Sequence, residues 1–396
     1  MNDLPAKQTI RVGVMIDLTW NLKRHTDIFA GIARYAHEHE GWQCIIDDFA
    51  SDSLAQHKGR RKLFDGIIGR VTPELQQQAK RWRIPLVNVW YSSPVTSVPS
   101  VFSDYRSAGN LMAEHMLARG IRHFLCLIRK GDAAEKIIAE RIVALAQQHG
   151  GKCELVRVPL LFAHSPKQSR KTRSIIGAWL RESPMPAGVV TGVDIMGRHV
   201  VQLCEELGLR VPADVAVAGG YNEPTICLYP EPTLTTVEFG LDHVGYEAAR
   251  LLHRLLRREK LKQEVVYFPP RELVVRQSSD FVYIDEEIVS AAMQYISQSA
   301  RHDINVDDVA TAAGTSRRTL ETRFEKHLGR TVAAEIRRVR LEHAKRLLAS
   351  SDESIGRIGR LTGIGEPQQF SRVFRREVGV SPREYRSRFV DDAPVV

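Results

Sequence analysis

The stretch from Ile304 to Arg386 carries one helical pattern twice, and that repetition constrains this chain more than any other feature. Asn305 is a good N-cap with Asp308 three residues on, so a helix opens there and buries Val306, Val309, Ala310 and Ala313. Gly314 breaks it. Ser316 caps a second helix in which Leu320, Phe324 and Leu328 recur every four residues, which leaves Arg317, Arg318, Thr319, Glu321, Thr322 and Arg323 on the wet face. The pattern then returns. Ser354 opens a helix with Ile355, Ile358 and Leu361, Gly363-Ile364-Gly365 turns, Pro367 suits a first helical position, and Phe370 and Phe374 anchor the next helix. The free face of that helix offers Gln368, Gln369, Arg372, Arg375 and Arg376. Apolar residues that hold a helix down, with donors near its N-terminus facing out, are the pattern of a recognition helix.

Between the two units (304–328 and 354–377), residues 331–349 read as one uninterrupted helix with Leu341, Ala344, Leu347 and Leu348 inward. At ~1.5 Å per residue it spans ~28 Å. Successive major grooves lie ~34 Å apart, so such a spacer suits two recognition helices on one face of a duplex. The charge agrees: residues 301–390 hold 19 Lys and Arg against 12 Asp and Glu, a surplus of seven out of the chain's +9. Cationic groups gather where phosphates would need them.

These residues resemble the AraC/XylS-type transcription regulators over about the last ninety positions. The specific parts are Arg340-Leu341-x-x-Ala344-x-x-Leu347-Leu348, Ile355-x-x-Ile358, Gly363-Ile364, Phe370-Ser371-Arg372-x-Phe374 and Gly379-Val380-Ser381-Pro382-x-x-Tyr385-Arg386. Gly359 stands where the family favours alanine and Ile364 where it favours phenylalanine. A helix-interior glycine costs ~1 kcal/mol against alanine, which implies a less rigid second unit.

A chain of 396 residues is too long for one ordinary domain. From Thr9 to about Ser279, short β-rich runs alternate with amphipathic stretches, as in parallel sheets covered by helices. Arg11 to Ile16, Cys44 to Ile46, Gly66 to Gly69 and Pro85 to Val89 read as strands of one series, with a helix at Asp27 to Glu38. A second series runs from Phe124 to Ile128 through Gly188 to Thr191 and Val215 to Ala218. Two series imply two lobes with a cleft between them.

This region resembles the LacI-type repressor cores, which are related to periplasmic sugar-binding proteins. The resemblance rests on Asp104-x-x-x-x-Gly109 with His115 to Gly120, on Glu140-Arg141, and on the run from Asp194-x-x-Gly197 through Glu206-Leu207-Gly208-Leu209-x-Val211-Pro212-x-Asp214-Val215 to Pro232-x-Leu234-Thr235-Thr236-Val237. It implies an α/β, two-lobed, periplasmic-binding-protein-like core with two doubly wound parallel sheets at 9–279, its lobes crossing near 104 and 237. An all-α double helix-turn-helix domain follows at 280–390, after a short linker at about Ser278 to Asp285. A core first and an AraC-type pair last is the order of the xylose-operon regulators, which implies xylose or a related monosaccharide as effector.

The resemblance places Asp104, Arg141 and Asp194 at effector-contact positions, where carboxylates and a guanidinium make directed bonds to sugar hydroxyls. Asp17, Trp20 and Arg24 follow the first strand, and Trp90 and Tyr91 follow a later one, at the strand ends where open α/β sheets bind ligands. Tyr221 replaces the family's usual aspartate, so Asn222 or Glu223 is the nearby candidate. The DNA-contact set is Ser316, Arg317, Arg318, Thr319, Thr322, Gln368, Gln369, Arg372, Arg375 and Arg376.

The expected partners are a double-stranded DNA operator, a small sugar, a second copy in a homodimer and, for an activator, RNA polymerase. Activation is the family's commoner mode. No metal and no cofactor is expected: His37, Glu38, His39 and Glu40 lack a His-Glu-x-x-His spacing, and the five cysteines form no Cys-x-x-Cys. The chain has no apolar run of membrane length and no signal-peptide order at Met1 to Pro5, so a cytoplasmic protein with no membrane contact is expected. Lys167, Arg170, Lys171 and Arg173 read as a wet loop before a helix at Ser174 to Leu180. The other function class, a sugar-processing enzyme fused to a DNA-binding domain, finds no Gly-x-Ser-x-Gly elbow, Walker loop or Gly-x-Gly-x-x-Gly fingerprint.

Overall fold

A computed structural model describes residues 9–18, 23–159, 165–259, 265–281, 286–300, 302–351 and 353–390. By internal contacts the chain divides into two compact units, one of residues 1–117, 121–227 and 234–279, the other of 280–396 with the short stretches 118–120 and 228–233.

The first unit starts with β1 (Ile10–Met15), α1 (Lys23–Glu38), β2 (Trp42–Ile46), α2 (Ala50–Gln56), β3 (Gly66–Gly69), α3 (Pro73–Trp82), β4 (Leu86–Asn88) and β5 (Ser100–Ser103). The chain then crosses to a second lobe with α4 (Tyr105–Leu117), β6 (His123–Arg129), α5 (Ala133–Gln148), β7 (Lys152–Val158), α6 (Pro166–Glu182), β8 (Ala187–Thr191), α7 (Asp194–Glu206), β9 (Val215–Gly220), α8 (Pro224–Cys227) and β10 (Thr235–Glu238). It returns with α9 (Leu241–Leu256) and β11 (Val265–Phe268), and crosses a third time into β12 (Glu272–Val274). The first sheet has the order β11-β5-β4-β3-β1-β2 and is parallel throughout. The second has the order β12-β10-β9-β8-β6-β7, with β12 antiparallel at its edge. Strands buried on both faces, such as Gly66–Gly69, Ala187–Thr191 and Val215–Gly220, are apolar runs without alternation because helices cover both sides.

Order in each sheet reverses beside the first strand of its series, at β1/β3 and at β6/β8. Crevices at the C-terminal ends of strands where the order reverses are where such sheets bind ligands. The position of the first lobe's leading helix is set by a close crossing: a Cβ on Gly31 of α1 would lie 1.8 Å from Asp242 O, and one on Gly245 of α9 would lie 1.9 Å from Ile28 O. Only hydrogen at both places lets the two helices touch backbone to backbone.

Two local expectations change. The basic run Lys167 to Arg173 belongs to α6, because Ser165 accepts a bond from Gln168 N and Pro166 takes the first helical position, so the helix begins before the run. Ser278 and Ser279, expected in a linker, are fully buried: Ser278 Oγ donates to Val217 O at 2.7 Å and accepts from Thr235 N at 2.8 Å.

The second unit contains α10 (Glu287–Ser299), α11 (Val306–Ala312), α12 (Arg317–Leu328), α13 (Val332–Ser350), α14 (Ile355–Leu361), α15 (Pro367–Val378) and α16 (Pro382–Val390). Asn305 and Asp308 form a full capping box, and Ser316, Thr331 and Ser354 each accept from the backbone N–H three residues on. One face of α13 buries Val332 and Ile336, and its later turns pack Leu341, Ala344 and Leu348 against Ile358, Phe370 and Phe374. Gly359 is a close-contact residue, since a Cβ there would lie 2.7 Å from Gly365 O and 2.9 Å from Phe370 Cβ. It brings α14 against the turn and α15.

Candidate ligand cleft and nucleic-acid interface

In the first unit a cavity of about 30 Å³ opens between the lobes, lined by Arg24 of α1, by Trp90, Tyr91 and Ser92 after β4, by Asp132 after β6 and by Tyr221 after β9. Each lies just beyond the C-terminal end of a strand or on the helix that follows one. Asn88 sets the Trp90 loop: its Oδ1 accepts from Trp90 N at 3.1 Å and its Nδ2 donates to Trp90 O at 3.2 Å. The Arg24 guanidinium then lies over the indole, 4.4 Å from the ring centroid, and 3.7 Å from Asp132 of the other lobe.

Asp132 is the N-cap of α5, its Oδ1 accepting from Ala134 N and Glu135 N, while its Oδ2 accepts from Arg129 at 2.9 Å. Arg129 is further tied to the buried Glu135. A direct bond also joins the lobes, from Ala133 N to Ser92 Oγ at 2.9 Å. His25, buried beside Arg24, accepts from Arg24 Nε at 3.3 Å and donates from Nδ1 to Asp17 O. Burial first, and the Arg24 charge second, push its pKa down to about 4, so the ring is neutral and keeps a lone pair for Arg24. Behind these groups Tyr91 packs edge to face on Tyr105, and Phe239 lies tilted against both Tyr105 and Tyr221, with ring centroids 4.9–5.3 Å apart.

The structure brings Arg24, Trp90 and Tyr91 together in this cavity and gives the other sequence-predicted residues different surroundings. Asp17 reaches His25 through its carbonyl. Asp104 caps α4, accepting from Arg106 N, Ser107 N and Ser107 Oγ. Arg141 donates to Asn110 at 2.8 Å across the α4–α5 contact. Asp194, 3% exposed, accepts from Thr236 Oγ1 at 2.6 Å and Glu223 N at 2.8 Å, and burial raises its pKa to about 6. Asn222 bonds Glu238 and Arg276. Trp20 lies outside the described residues. Sequence reasoning missed Asp132, Ser92, Arg129 and Glu135; the one signal available was Asp132-x-x-Glu135 directly after a strand, a helix opening at a sheet's carboxyl edge.

In the second unit Ser316, Arg317, Arg318 and Thr322 are exposed on α12, as are Gln368, Gln369, Arg372, Arg375 and Arg376 on α15; Thr319 is half-buried. Arg317 is engaged by Asp307 at 3.1 Å and Glu321 at 3.2 Å, and Arg376 by Glu377. Among the described residues Arg318, Arg372 and Arg375 have no acidic partner, which leaves their guanidinium groups available to an external anion. Both recognition helices end at a glycine with positive φ, Gly329 at 64° and Gly379 at 84°, so the two units close alike. Their turns differ by Gly365, whose φ of 124° suits glycine. Among the described residues no group of three or more His, Cys, Asp or Glu is placed to hold a metal ion, and no helix is long and apolar enough to cross a membrane.

Residues 113–279 match the periplasmic binding protein-like domain model, and residues 309–388 match the helix-turn-helix domain model. The chain is 35% identical to the xylose operon regulatory protein of Escherichia coli over 94% of this chain and 96% of that one. It is 28% identical to the protein of that name from Haemophilus influenzae, over 94% and 97%. A solved structure of the xylose-binding transcription activator xylR matches with a TM-score of 0.70 at 26% identity, covering 96% of this chain and 98% of that chain. With two parallel-sheet lobes followed by two helix-turn-helix units, and with relatives matched over nearly their full length, the chain belongs to the family of the xylose operon regulatory proteins, sugar-responsive DNA-binding transcription regulators and not enzymes.

Proposed function

We propose that residues 9–279 bind a monosaccharide, xylose or a related pentose, in the cleft between the lobes, and that residues 280–390 bind the operator. The observation that carries this reading is the Arg24–Asp132 pair held over Trp90. Directed charged donors and acceptors beside an aromatic face suit a pyranose, whose hydroxyls point outward from an apolar ring face. Arg24 and Trp90 come from one lobe and Asp132 and Tyr221 from the other, so a ligand gripped by all four favours closure. On the DNA side, Arg318, Thr322 and Arg317 read one groove, and Gln368, Gln369 and Arg372 the next, while Arg375 and Arg376 hold phosphates.

The protein acts in the cytoplasm as a homodimer, which doubles the recognition helices on the DNA, and it activates genes of carbohydrate catabolism through contact with RNA polymerase. The similar solved structure is that of a xylose-binding activator, which supports both sugar and direction. The test is thermal unfolding with and without D-xylose, then with a panel of pentoses and hexoses. A ligand at 100 times its dissociation constant adds ~2.7 kcal/mol to the unit that binds it. A panel with no shift sinks the reading.

A further inference from the structure

Tyr221 and Asn222 are consecutive non-glycine residues with positive φ, 90° and 55°. Side chains seldom accept that backbone, and it persists only where surroundings impose it. Here three successive N–H groups are pinned: Tyr221 N to Val237 O at 3.0 Å, Asn222 N to Thr236 Oγ1 at 3.1 Å and Glu223 N to Asp194 Oδ2 at 2.8 Å. The consequence is that the two side chains serve different neighbours. The Tyr221 ring lines the cleft, 5.9 Å from the Arg24 guanidinium carbon. The Asn222 amide turns to Glu238, donating at 3.1 Å, and accepts from Arg276 at 2.6 Å.

Glu238 is the last residue of β10, where the chain crosses between lobes, and its Oε2 also accepts from Lys23 of the opposite lobe at 3.2 Å. Arg276 donates from its guanidinium to Leu234 O and from its backbone to Thr235 Oγ1. Two residues on, Ser278 and Ser279 are fixed to Val217 and Thr235, and residue 280 opens the second unit.

We propose that Asn222 and Glu238 are positioning residues that couple the cleft to the segment leading into the DNA-binding unit. The proposal rests on the cleft being the sugar site. Closure on a ligand displaces Lys23 and Tyr221 together, one bonded to Glu238 and the other joined by a peptide bond to Asn222. Both displacements converge on the Asn222–Arg276 bond, ahead of Ser278 and Ser279. Neither Asn222 nor Glu238 lines the cavity, so their loss separates coupling from binding.

The test uses the full chain, D-xylose, and a duplex selected by the wild-type protein from random sequence. Three quantities are measured: D-xylose affinity by calorimetry, duplex affinity without sugar, and the change in duplex affinity at saturating sugar. Asn222→Gly keeps the left-handed backbone and deletes the amide; Glu238→Gln keeps a bond to Asn222 and removes the charge facing Lys23. For Asn222→Gly the first two quantities stay within about threefold of wild type, while the sugar-driven change, about fivefold or more in wild type, falls below about twofold. Glu238→Gln reduces the change in the same direction, and it carries the test alone if Asn222→Gly loses its cooperative unfolding. A full sugar response in either folded variant overturns the relay and leaves the cleft reading intact. A wild-type protein that binds no D-xylose overturns the cleft reading, and the relay with it.

Discussion

The guanidinium of Arg24 lies over the indole of Trp90, 4.4 Å from the ring centroid, and the neutral imidazole of His25 accepts from its Nε. Two side chains from two segments, Trp90 and His25, thus fix one cation at the mouth of the second lobe, facing Asp132. Arg24→Gln removes a charged donor while leaving the helix that carries it. Losing a charge-assisted bond costs ~1.5 to 3 kcal/mol, so D-xylose affinity measured by calorimetry falls roughly ten- to a hundredfold. Duplex affinity without sugar stays at the wild-type value. An unchanged sugar affinity removes Arg24 from the site.

Two buried groups give opposite pH dependences over one window. Asp194 is harder to ionise in the fold, its pKa raised from 3.8 to about 6, so its contribution is full below pH 4 and lost as pH rises to about 6. His25 is harder to protonate, its pKa lowered from 6.5 to about 4, so its contribution is full above pH 6.5 and lost as pH falls to about 4. Each is on the order of 3 kcal/mol. Relative to wild type, Asp194→Asn gains stability as pH rises from 4 to 6, and His25→Asn loses it. Urea unfolding at pH 4.5 and 6.5 measures both differences, and parallel curves for wild type and either variant contradict the corresponding assignment.

Gly245→Ala places a methyl 1.9 Å from Ile28 O and forces α1 and α9 apart. Overpacking of that kind costs ~1 to 3 kcal/mol, or about 2 to 4 °C of melting temperature for each kcal/mol. Because α1 carries Arg24, D-xylose affinity drops as well. Gly177→Ala, within α6, is the control for glycine loss without crowding, since its Cβ would meet nothing nearer than 3.6 Å. Equal melting temperatures for Gly245→Ala and wild type contradict the close crossing.

How far the sequence discloses all this depends on how local each feature is. The helix-turn-helix units are legible because caps such as Asn305, Ser316 and Ser354 act on backbone N–H groups two or three residues away, and Phe370 and Phe374 are spaced on one helical face. The cleft is less so. Asp194 looks like a ligand carboxylate until Thr236, far along the chain, takes one of its oxygens. Arg141 is likewise taken by Asn110. Asp132 looks like any helix cap until the fold sets Arg24 against it. Tertiary partners at long sequence separation decide which carboxylate faces the cleft, and periodicity carries no record of them.

On the DNA side, Gln369 is exposed near the start of α15, where a bidentate pair with adenine is worth ~1 to 3 kcal/mol of discrimination. Gln369→Ala relaxes preference at one or two base pairs in a selection from random duplexes. Arg375, further along the same helix, is a phosphate contact on the proposed reading, so Arg375→Ala weakens all sequences alike and lowers the slope of log affinity against log salt by about one. Uniform weakening by Gln369→Ala exchanges the two roles.

On the proposed reading sugar in the cleft changes operator affinity, and fluorescence anisotropy of a labelled operator duplex with and without saturating D-xylose, for wild type and Trp90→Ala, tests that coupling. The ligand shifts the equilibrium only by its differential affinity for the two states. The expected result is a change of about fivefold or more in wild type and none in Trp90→Ala, with sugar-free affinities equal. A Trp90→Ala protein that responds to D-xylose as wild type does, or a wild type that does not respond, contradicts it.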